Sequence, residues 1–214
     1  GIYNDQYDLI DYKHSGNDIS FSTGYISSGT YYVGVHSSTY YNSDDYSLVV
    51  NLSSSTNYHN ETEDNGTFNS ADKLQLGTEI KGQLASNTDW DVFSFTLGAP
   101  SLVTAAFEAP TDSNSDYFFI GLYNSDFEIL AANYTGKDLS FNAGADTAGV
   151  YYAAVYTGTN YTSAQYGLTI TSQAGSLFEV ETEKNDSFQS ADVLKLDTNI
   201  KGQLLSAEDW DVFK

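Results

Sequence analysis

One stretch decides how this chain is organised, and it reads Glu61-Thr-Glu-Asp-Asn-Gly-Thr-Phe-Asn-Ser-Ala-Asp72. It reappears 120 residues later as Glu181-Thr-Glu-Lys-Asn-Asp-Ser-Phe-Gln-Ser-Ala-Asp192. Two downstream motifs keep the same spacing without a gap: Ile80-Lys-Gly-Gln-Leu84 with Ile200-Lys-Gly-Gln-Leu204, and Asp89-Trp-Asp-Val-Phe93 with Asp209-Trp-Asp-Val-Phe213. Self-similarity at a fixed period is the signature of tandem repeats. The sequence therefore predicts a repeat unit of 120 residues.

The front of the chain follows the same period. Gly29-Thr-Tyr-Tyr-Val33 aligns with Gly149-Val-Tyr-Tyr-Ala153, and a Tyr-x-Leu motif recurs at Tyr46 and Tyr166. The period predicts one complete repeat flanked by two partial ones. In chain order these are the C-terminal half of a repeat (1–52), a linker (53–60), a complete repeat (61–172), a linker (173–180) and the N-terminal part of the next repeat (181–214).

Within the complete repeat, short runs rich in β-branched and aromatic residues alternate with polar turn clusters, which is typical of antiparallel sandwiches. The fold class predicted is all-β, with tandem jelly-roll-like antiparallel β-sandwich repeats. A short helical turn is expected only near Ser70–Lys73 and its copy near Ser190. The predicted strands are Glu79–Leu84, Trp90–Leu97, Leu102–Glu108, Tyr117–Tyr123, Glu128–Ala132, Asp138–Asn142, Gly149–Tyr156 and Gln165–Thr171.

The charge balance excludes several classes of partner. The chain has 29 acidic and 8 basic residues, for a net charge of −21. A phosphate backbone needs a basic face, so we expect no nucleic-acid partner. No apolar run is long enough to span a bilayer, so we expect no membrane insertion. Such an excess of carboxylates suits a salty or calcium-containing exterior, and the lack of cysteine does not exclude secretion. We predict a secreted, extracellular or cell-surface protein.

The order of the motifs resembles a known family. Glu-x-Glu-x-Asn at Glu61 is followed by Gly-x-Leu at Gly82, an Asp-x-Asp strand at Asp89, Gly-x-Tyr-Tyr at Gly149 and Tyr-x-Leu at Tyr166. This order resembles the bacterial pre-peptidase C-terminal (PPC) domain and is similar to the related collagen-binding domains of clostridial collagenases. The sequence departs from the family pattern where Trp stands between the two Asp residues and Val follows them.

The resemblance implies a jelly-roll-like sandwich with calcium held by the opening segment of each unit. Carried over by motif position, the implied ligands of the middle repeat are Glu61, Glu63, Asn65, Asp89 and Asp91. In the next repeat they are Glu181, Glu183, Asn185, Asp186, Asp209 and Asp211. Gly66 stands where the next repeat has Asp186, so we expect the middle site to bind calcium more weakly.

The residues themselves support the same chemistry. Calcium takes six to eight oxygen ligands. Glu61, Glu63 and Asn65 alternate, so an extended segment projects them to one side. Asp89 and Asp91 alternate in the same way. Gathered carboxylates repel one another unless a cation joins them; the alternative interpretation is a solvated acidic loop.

A second acidic run, Asp112-Ser-Asn-Ser-Asp116, has part of the spacing of a calcium loop. It lacks the following Gly and the distant Glu of an EF-hand. We interpret this run as a polar hairpin or loop.

Adjacent tyrosines place one ring on each face of a strand. At Tyr31-Tyr32 and Tyr151-Tyr152 one ring is expected in the core. The other would either cover the sheet or form an aromatic strip for an extracellular glycan or protein ligand. The three histidines are isolated from any repeated Ser or Asp, which argues against catalytic or zinc roles for them.

The function predicted is a non-enzymatic structural or adhesive module. It would be a calcium-stabilised part of a long surface adhesin, fibre or matrix filament of a bacterial surface. Its partners would be neighbouring repeats or copies of itself. The alternative is a substrate-targeting accessory region, binding protein or glycan, of a secreted protease or polysaccharide hydrolase. A third, weaker alternative is a hydrolase with paired carboxylates.

Overall fold

The structure is a computed structural model that describes residues 1–21, 29–37, 39–41, 43–52, 59–110, 112–162, 164–175 and 180–214. Most of the two predicted linkers lies outside these residues. The described residues form no helix that could cross a membrane. Their strands are β1 (Ile2–Tyr3), β2 (Leu9–Asp11), β3 (Tyr32–Val33), β4 (His59–Asn60), β5 (Asp72–Lys73), β6 (Glu79–Gly82), β7 (Trp90–Leu97), β8 (Ser101–Glu108), β9 (Ser113–Tyr123), β10 (Ile129–Gly136), β11 (Leu139–Ala145), β12 (Gly149–Thr157) and β13 (Tyr166–Ala174).

All eight strands predicted for the complete repeat are confirmed, as β6 to β13. The largest differences are at β10, which ends at Gly136 rather than Ala132, and at β9, which begins at Ser113 rather than Tyr117. The polar run Asp112–Asp116 therefore belongs largely to a strand rather than to a loop. Its extension has a clear cause, because Gly136 of β10 pairs with Ser113, and Thr159 and Asn160 donate backbone hydrogen bonds to the Asp116 carbonyl.

Two five-stranded sheets make up the sandwich between His59 and Ala174. Their orders are β10-β9-β12-β7-β5 and β11-β8-β13-β6-β4. The pairings are antiparallel except for the short parallel strands β4 on β6 and β5 on β7. One core lies between the sheets and includes Phe93, Phe118, Leu168 and Ile170. Strand β8 shows the alternation expected of a half-buried strand, with every second side chain buried.

A small second core explains an irregularity in the sequence of β7. Val92 breaks the apolar alternation of this strand, yet it is buried on the outer face of its sheet with Tyr123 and Ala154. The opening segment, residues 61–72, supplies the cover through Phe68 and Ala71. Both faces of β7 are therefore buried, and apolar side chains are favoured on both.

The structure corrects the prediction of a short helical turn at Ser70–Lys73. The structure has a hydrogen-bonded turn that closes from Ser70 N to Thr67 O at 3.0 Å. Strand β5 then begins at Asp72, which pairs with Phe93, and Leu74 N donates to Ser94 O at 2.8 Å. The backbone donors that a helix would use internally are used by β7 instead.

The flanking segments repeat the backbone pairing of the sandwich at the same offset. β1 and β2 pair as Ile2↔Asp11, and Leu122↔Ala131 is the same pair 120 residues later. At the other end, the bridge Val180↔Lys201 copies Asn60↔Lys81, and Asp192↔Phe213 copies the β5–β7 pair. The sequence period is thus also a period in strand register.

Candidate metal centre

Three carboxyl groups meet where the opening segment lies against the start of β7. Each of Glu61, Glu63 and Asp91 offers an oxygen within 4.8 Å of the other two. Glu61 is held by its backbone N–H, which donates to Lys81 O at 3.0 Å. Its side chain accepts a short hydrogen bond from the backbone N–H of Gln83. Strands β4 and β6 therefore set the position of the first carboxyl group.

Asn65 adds a fourth oxygen-bearing group. It is fully buried; its carbonyl accepts from Val92 N at 3.3 Å and its Nδ2 donates to Asp72 Oδ2 at 3.3 Å. Its Oδ1 is buried and has no hydrogen-bond partner among the described residues, and the same holds for Oδ1 of Asp91. Buried oxygen acceptors are normally satisfied. These two buried oxygens without hydrogen-bond partners, one on Asn65 and one on the carboxyl group of Asp91, favour a bound cation.

Asp72 organises the opening segment, a role that the sequence analysis missed. Its two carboxylate oxygens accept from the backbone N–H and the hydroxyl of Thr62, both at 2.6 Å. With its bond to Asn65, this closes the segment into a loop that turns its acidic side chains toward β7. The available signal was that Asp72 ends the repeated stretch and recurs as Asp192.

Tyr166 covers the cluster from β13, and sequence reasoning missed this role too. Its hydroxyl is fully buried, donates to Asp91 Oδ2 at 2.6 Å and lies 3.5 Å from Glu61 Oε2. Gly82 makes room for it, since a Cβ there would lie 2.3 Å from the Tyr166 hydroxyl oxygen. The recurring Tyr-x-Leu motif marked this tyrosine, but only the pairing of β13 with β6 shows what it contacts.

Asp89, a predicted ligand, stands beside the three carboxyl groups rather than among them. Its Oδ2 accepts from Ala85 N at 2.6 Å and so stabilises the turn between β6 and β7. Its charge still acts on the cluster, because it raises the pKa values of Glu63 and Asp91.

Burial and mutual repulsion hold protons on the cluster. Burial, followed by the charges of Asp91 and Glu63, raises the pKa of Glu61 well above its usual range. Desolvation of the Glu63 carboxyl group, then the Asp89 charge, raises the pKa of Glu63 to about 8. Burial raises the pKa of Asp91 to about 7, although the Tyr166 hydrogen bond opposes the shift. A divalent cation would remove the repulsion and displace these protons.

The second copy brings together the corresponding carboxyl groups. Glu181, Glu183 and Asp211 offer oxygens within 4.8 Å of one another, and Glu181 accepts from Gln203 N. Burial raises the pKa of Glu181 to about 7 and that of Glu183 to about 8. Buried oxygens without a hydrogen-bond partner in the described part of the chain are Glu181 Oε2, Glu183 Oε1, Asn185 Oδ1 and Asp211 Oδ1.

Two other predicted ligands of this copy lie outside the cluster of three. Asp209 Oδ2 accepts from Leu205 N at 2.5 Å, as Asp89 does in the first copy. Asp186 is exposed, and its Oδ1 accepts from Trp210 N at 3.4 Å.

The donor set fits a hard cation. Carboxylate and amide oxygens are what calcium and magnesium prefer, whereas zinc and copper sites usually include His or Cys. Glu61, Glu63, Asn65 and Asp91 would hold the ion in the middle repeat. Glu181, Glu183, Asn185 and Asp211 would hold it in the next. Carbonyl groups or water would complete the six to eight oxygens of a calcium ion.

The predicted tyrosine strip is largely turned inward. Tyr151 is a core residue, and Tyr152 is half-buried against Phe68 and Phe127, with ring centroids 5.2 and 5.5 Å away. In the first partial repeat, Tyr31 is half-buried and Tyr32 is exposed.

A different aromatic row crosses the outer sheet face. Trp90 stacks on Tyr156 at 4.1 Å, and Tyr156 stacks on Phe119 at 4.3 Å. Tyr134 meets Phe119 edge to face at 4.9 Å. Because the rings of Trp90, Tyr156 and Phe119 stack on one another, the row stabilises the sheet.

No protein-family model matches the sequence, and no curated protein matches it. Among solved structures, the chain is similar to the pre-peptidase C-terminal domain of a collagenase from Bacillus anthracis. That likeness has 22% identity and a TM-score of 0.40, and it covers 47% of this chain and 94% of the other.

The chain is also similar to two periplasmic inhibitors of g-type lysozyme named PliG. The inhibitor from Salmonella Typhimurium is 14% identical, with a TM-score of 0.35 and coverage of 48% of this chain and 98% of the other. The inhibitor from Aeromonas hydrophila is 16% identical, with a TM-score of 0.34 and coverage of 54% and 97%.

Proposed function

We propose that this chain is part of a non-enzymatic, calcium-stabilised structural or adhesive repeat protein outside the cell. One observation carries the proposal. A cluster of three carboxyl groups with orphaned buried oxygens is built twice, 120 residues apart, from the same motif positions. A catalytic site is rarely needed in tandem, whereas a stabilising ion site is useful in every unit of an array.

Electrostatics favour calcium as the ion. Three carboxylates within 4.8 Å of one another are strained by like-charge repulsion, and burial adds to the cost of ionising them. A divalent cation offsets both effects. Extracellular modules of this kind bind calcium with Kd values of about 10⁻⁴–10⁻³ M. Free calcium at millimolar levels then stabilises each site by about 1 kcal/mol through mass action.

The extracellular setting is part of the same proposal. Sites of millimolar affinity fill only where calcium is abundant, which is outside the cell. The net charge of −21 keeps such an array soluble, and divalent cations reduce its self-repulsion. Repeats in series give reach and many weak contacts at once, which suits an adhesin, fibre or matrix filament.

The decisive experiment is calorimetric titration of the full chain with calcium, paired with thermal unfolding in chelator and in millimolar calcium. We expect two binding events and a higher melting temperature with calcium than with equimolar magnesium. The double variant Glu61→Gln with Glu181→Gln should lose both effects. Glu208→Gln, which changes an exposed acid that is not a member of either three-carboxyl cluster, is the matched control. Equal melting in chelator and calcium would refute the calcium site.

A further inference from the structure

The outermost strand of one sheet is capped by a side chain from the next repeat. Ala132 lies on β10, which has a neighbour, β9, on one side only. Oε1 of Gln203 accepts from the Ala132 N–H at 3.1 Å, and Nε2 of Gln203 donates to the Ala132 carbonyl at 2.6 Å. One carboxamide thus satisfies both backbone groups of a residue 71 positions away.

Two further contacts join the same pair of segments. Thr182 forms a parallel bridge with Gly144 of β11, which belongs to the other sheet. The approach is so close that a Cβ on Gly144 would lie 2.3 Å from the Glu181 carbonyl. Lys184 forms an ion pair with Glu128 at 2.5 Å. The contacts reach both sheets of the sandwich, so they fix orientation as well as distance.

We propose that the outer edges of β10 and β11 form a docking surface for a second copy of the repeat. The surface consists of Glu128, Ala132 and Gly144. Its occupant is the beginning of the following repeat, which offers Thr182, Lys184 and Gln203. The inference rests on the proposed array, but it does not need calcium, because none of its contacts uses a carboxyl group of the two clusters.

The middle repeat carries an independent sign that this docking is periodic. Gln83 is the counterpart of Gln203; it is 6% exposed, and its Nε2 has no hydrogen-bond partner in the described ranges. A buried amide donor without an acceptor is costly. The repeat offset would pair it with the carbonyl of Tyr12, just after β2, the outermost described strand of the first sheet, a hydrogen bond that the described residues do not form. The Tyr12 N–H already donates to Asp11 Oδ1 at 2.7 Å, so the carbonyl remains.

The charges make the two joints unequal. At the joint between the middle repeat and the following one (the downstream joint), Glu128 faces Lys184. At the joint between the first partial repeat and the middle one (the upstream joint), the equivalent residues are Asp8 and Asp64. Opposite charges orient the first pair, and like charges disfavour the second. The downstream joint is therefore the tighter of the two.

Paired spin labels on the full chain test the docking surface. The chain has no cysteine, so Thr96→Cys with Glu208→Cys, both exposed, label only the sandwich and the following segment. Distances measured by pulsed electron resonance, in chelator and in calcium, should be narrowly distributed. Gln203→Ala with Lys184→Glu should abolish the narrow distribution, whereas the matched amide variant Gln83→Ala should leave it unchanged.

A charge swap and amide exchange complete the test. Lys184→Glu alone should broaden the distribution, and adding Glu128→Lys should restore it, which a merely misfolded variant would not do. Hydrogen exchange at the Ala132 N–H should accelerate roughly 2- to 10-fold in Gln203→Ala, because this N–H loses its hydrogen bond. A distribution equally narrow in the parent and in the Gln203→Ala, Lys184→Glu variant would overturn the proposal. So would a parent that is broad in both buffers. These outcomes do not depend on whether the chain binds calcium, so the docking surface and the calcium sites are tested separately.

Discussion

The two carboxyl clusters share their local geometry but differ in what surrounds them. Asp72 accepts from the N–H and hydroxyl of Thr62 at 2.6 Å, and Asp192 accepts from Thr182 at 2.7 Å. The packing around the two clusters differs. Leu84 is completely buried, whereas its counterpart Leu204 is 64% exposed. The hydrogen bonds of the site are made locally, and its burial comes from the rest of the sandwich.

The difference also appears in the electrostatics. Glu61, beneath Tyr166, has its pKa raised well above the usual range, whereas Glu181 reaches about 7. Closing the sandwich over the cluster therefore makes ionisation of Glu61 costlier, whereas the pKa is about 8 for both Glu63 and its counterpart Glu183.

The largest expected effect comes from truncating the same leucine in each copy. Leu84→Ala removes a side chain from the closed core and should cost about 2–5 kcal/mol of unfolding free energy. Leu204→Ala removes an exposed side chain and should change it by less than about 0.5 kcal/mol. Urea unfolding monitored by the fluorescence of Trp90, in a Trp210→Phe background, measures both. Equal costs would mean that the two copies are equally packed.

Removing one hydroxyl should have the next largest effect. In the calcium-free protein, Tyr166→Phe leaves Asp91 Oδ2 buried without its donor and should cost about 1–3 kcal/mol. The counterpart Tyr46 is 71% exposed, so Tyr46→Phe should cost almost nothing. The same urea assay compares them. An unchanged midpoint for Tyr166→Phe would show that the hydroxyl does not support the cluster.

The pH dependence of the calcium-free protein should run opposite to that of most acidic proteins. The pKa of Glu63 is raised from 4.5 to about 8, so the folded state binds protons more tightly than the unfolded state. Folding stability should therefore fall as the pH rises from about 4.5 to 8. In chelator we expect melting several degrees higher at pH 5.5 than at pH 8, measured by circular dichroism.

Calcium should reverse this trend. Its ligands must be ionised, so its affinity should rise through pH 7 to 8 and its binding should release protons. Titrations in buffers of different ionisation enthalpy detect that release. Calcium binding without proton release would contradict the raised pKa values.

The smallest effect concerns Gly66, which stands in the opening segment where the next repeat has Asp186. Gly66→Asp adds the carboxylate found at Asp186 and should raise the calcium affinity of the middle site by roughly 2- to 10-fold. The reciprocal variant, Asp186→Gly, should weaken the terminal site. Terbium luminescence sensitised by Trp90 or by Trp210, each alone, distinguishes the sites. No change in either would mean that the hydrogen bond from Trp210 N keeps Asp186 away from the ion.

Much of the fold could be predicted because its signals are local. Alternating residues and turn clusters predicted eight of the ten strands of the sandwich, and the repeat predicted that the acidic motif occurs twice. The types and spacing of Glu61, Glu63 and Asp91 suit an oxygen-ligated ion, and the structure brings their carboxyl oxygens within 4.8 Å of one another. That they bind an ion stays a prediction.

What could not be predicted depends on contacts distant in the chain. Tyr166 covers Asp91 from 75 positions away, and only strand order brings them together. The outward burial of Val92 required knowing that Phe68 folds over β7. Asp89 matches the ligand pattern, but its carboxylate is used by a turn that periodicity does not reveal.

The two shortest strands of the sandwich also have a protective role. β4 and β5, each two residues long, flank the opening segment and lie at the outer edges of β6 and β7. An open sheet edge is a template on which a foreign chain can add itself, and short edge strands are one way proteins prevent such aggregation. One segment thus covers one edge of each sheet, and its detachment would uncover β6 and β7 together. The segment that gathers the acids therefore also protects β6 and β7 from pairing with strands of other chains.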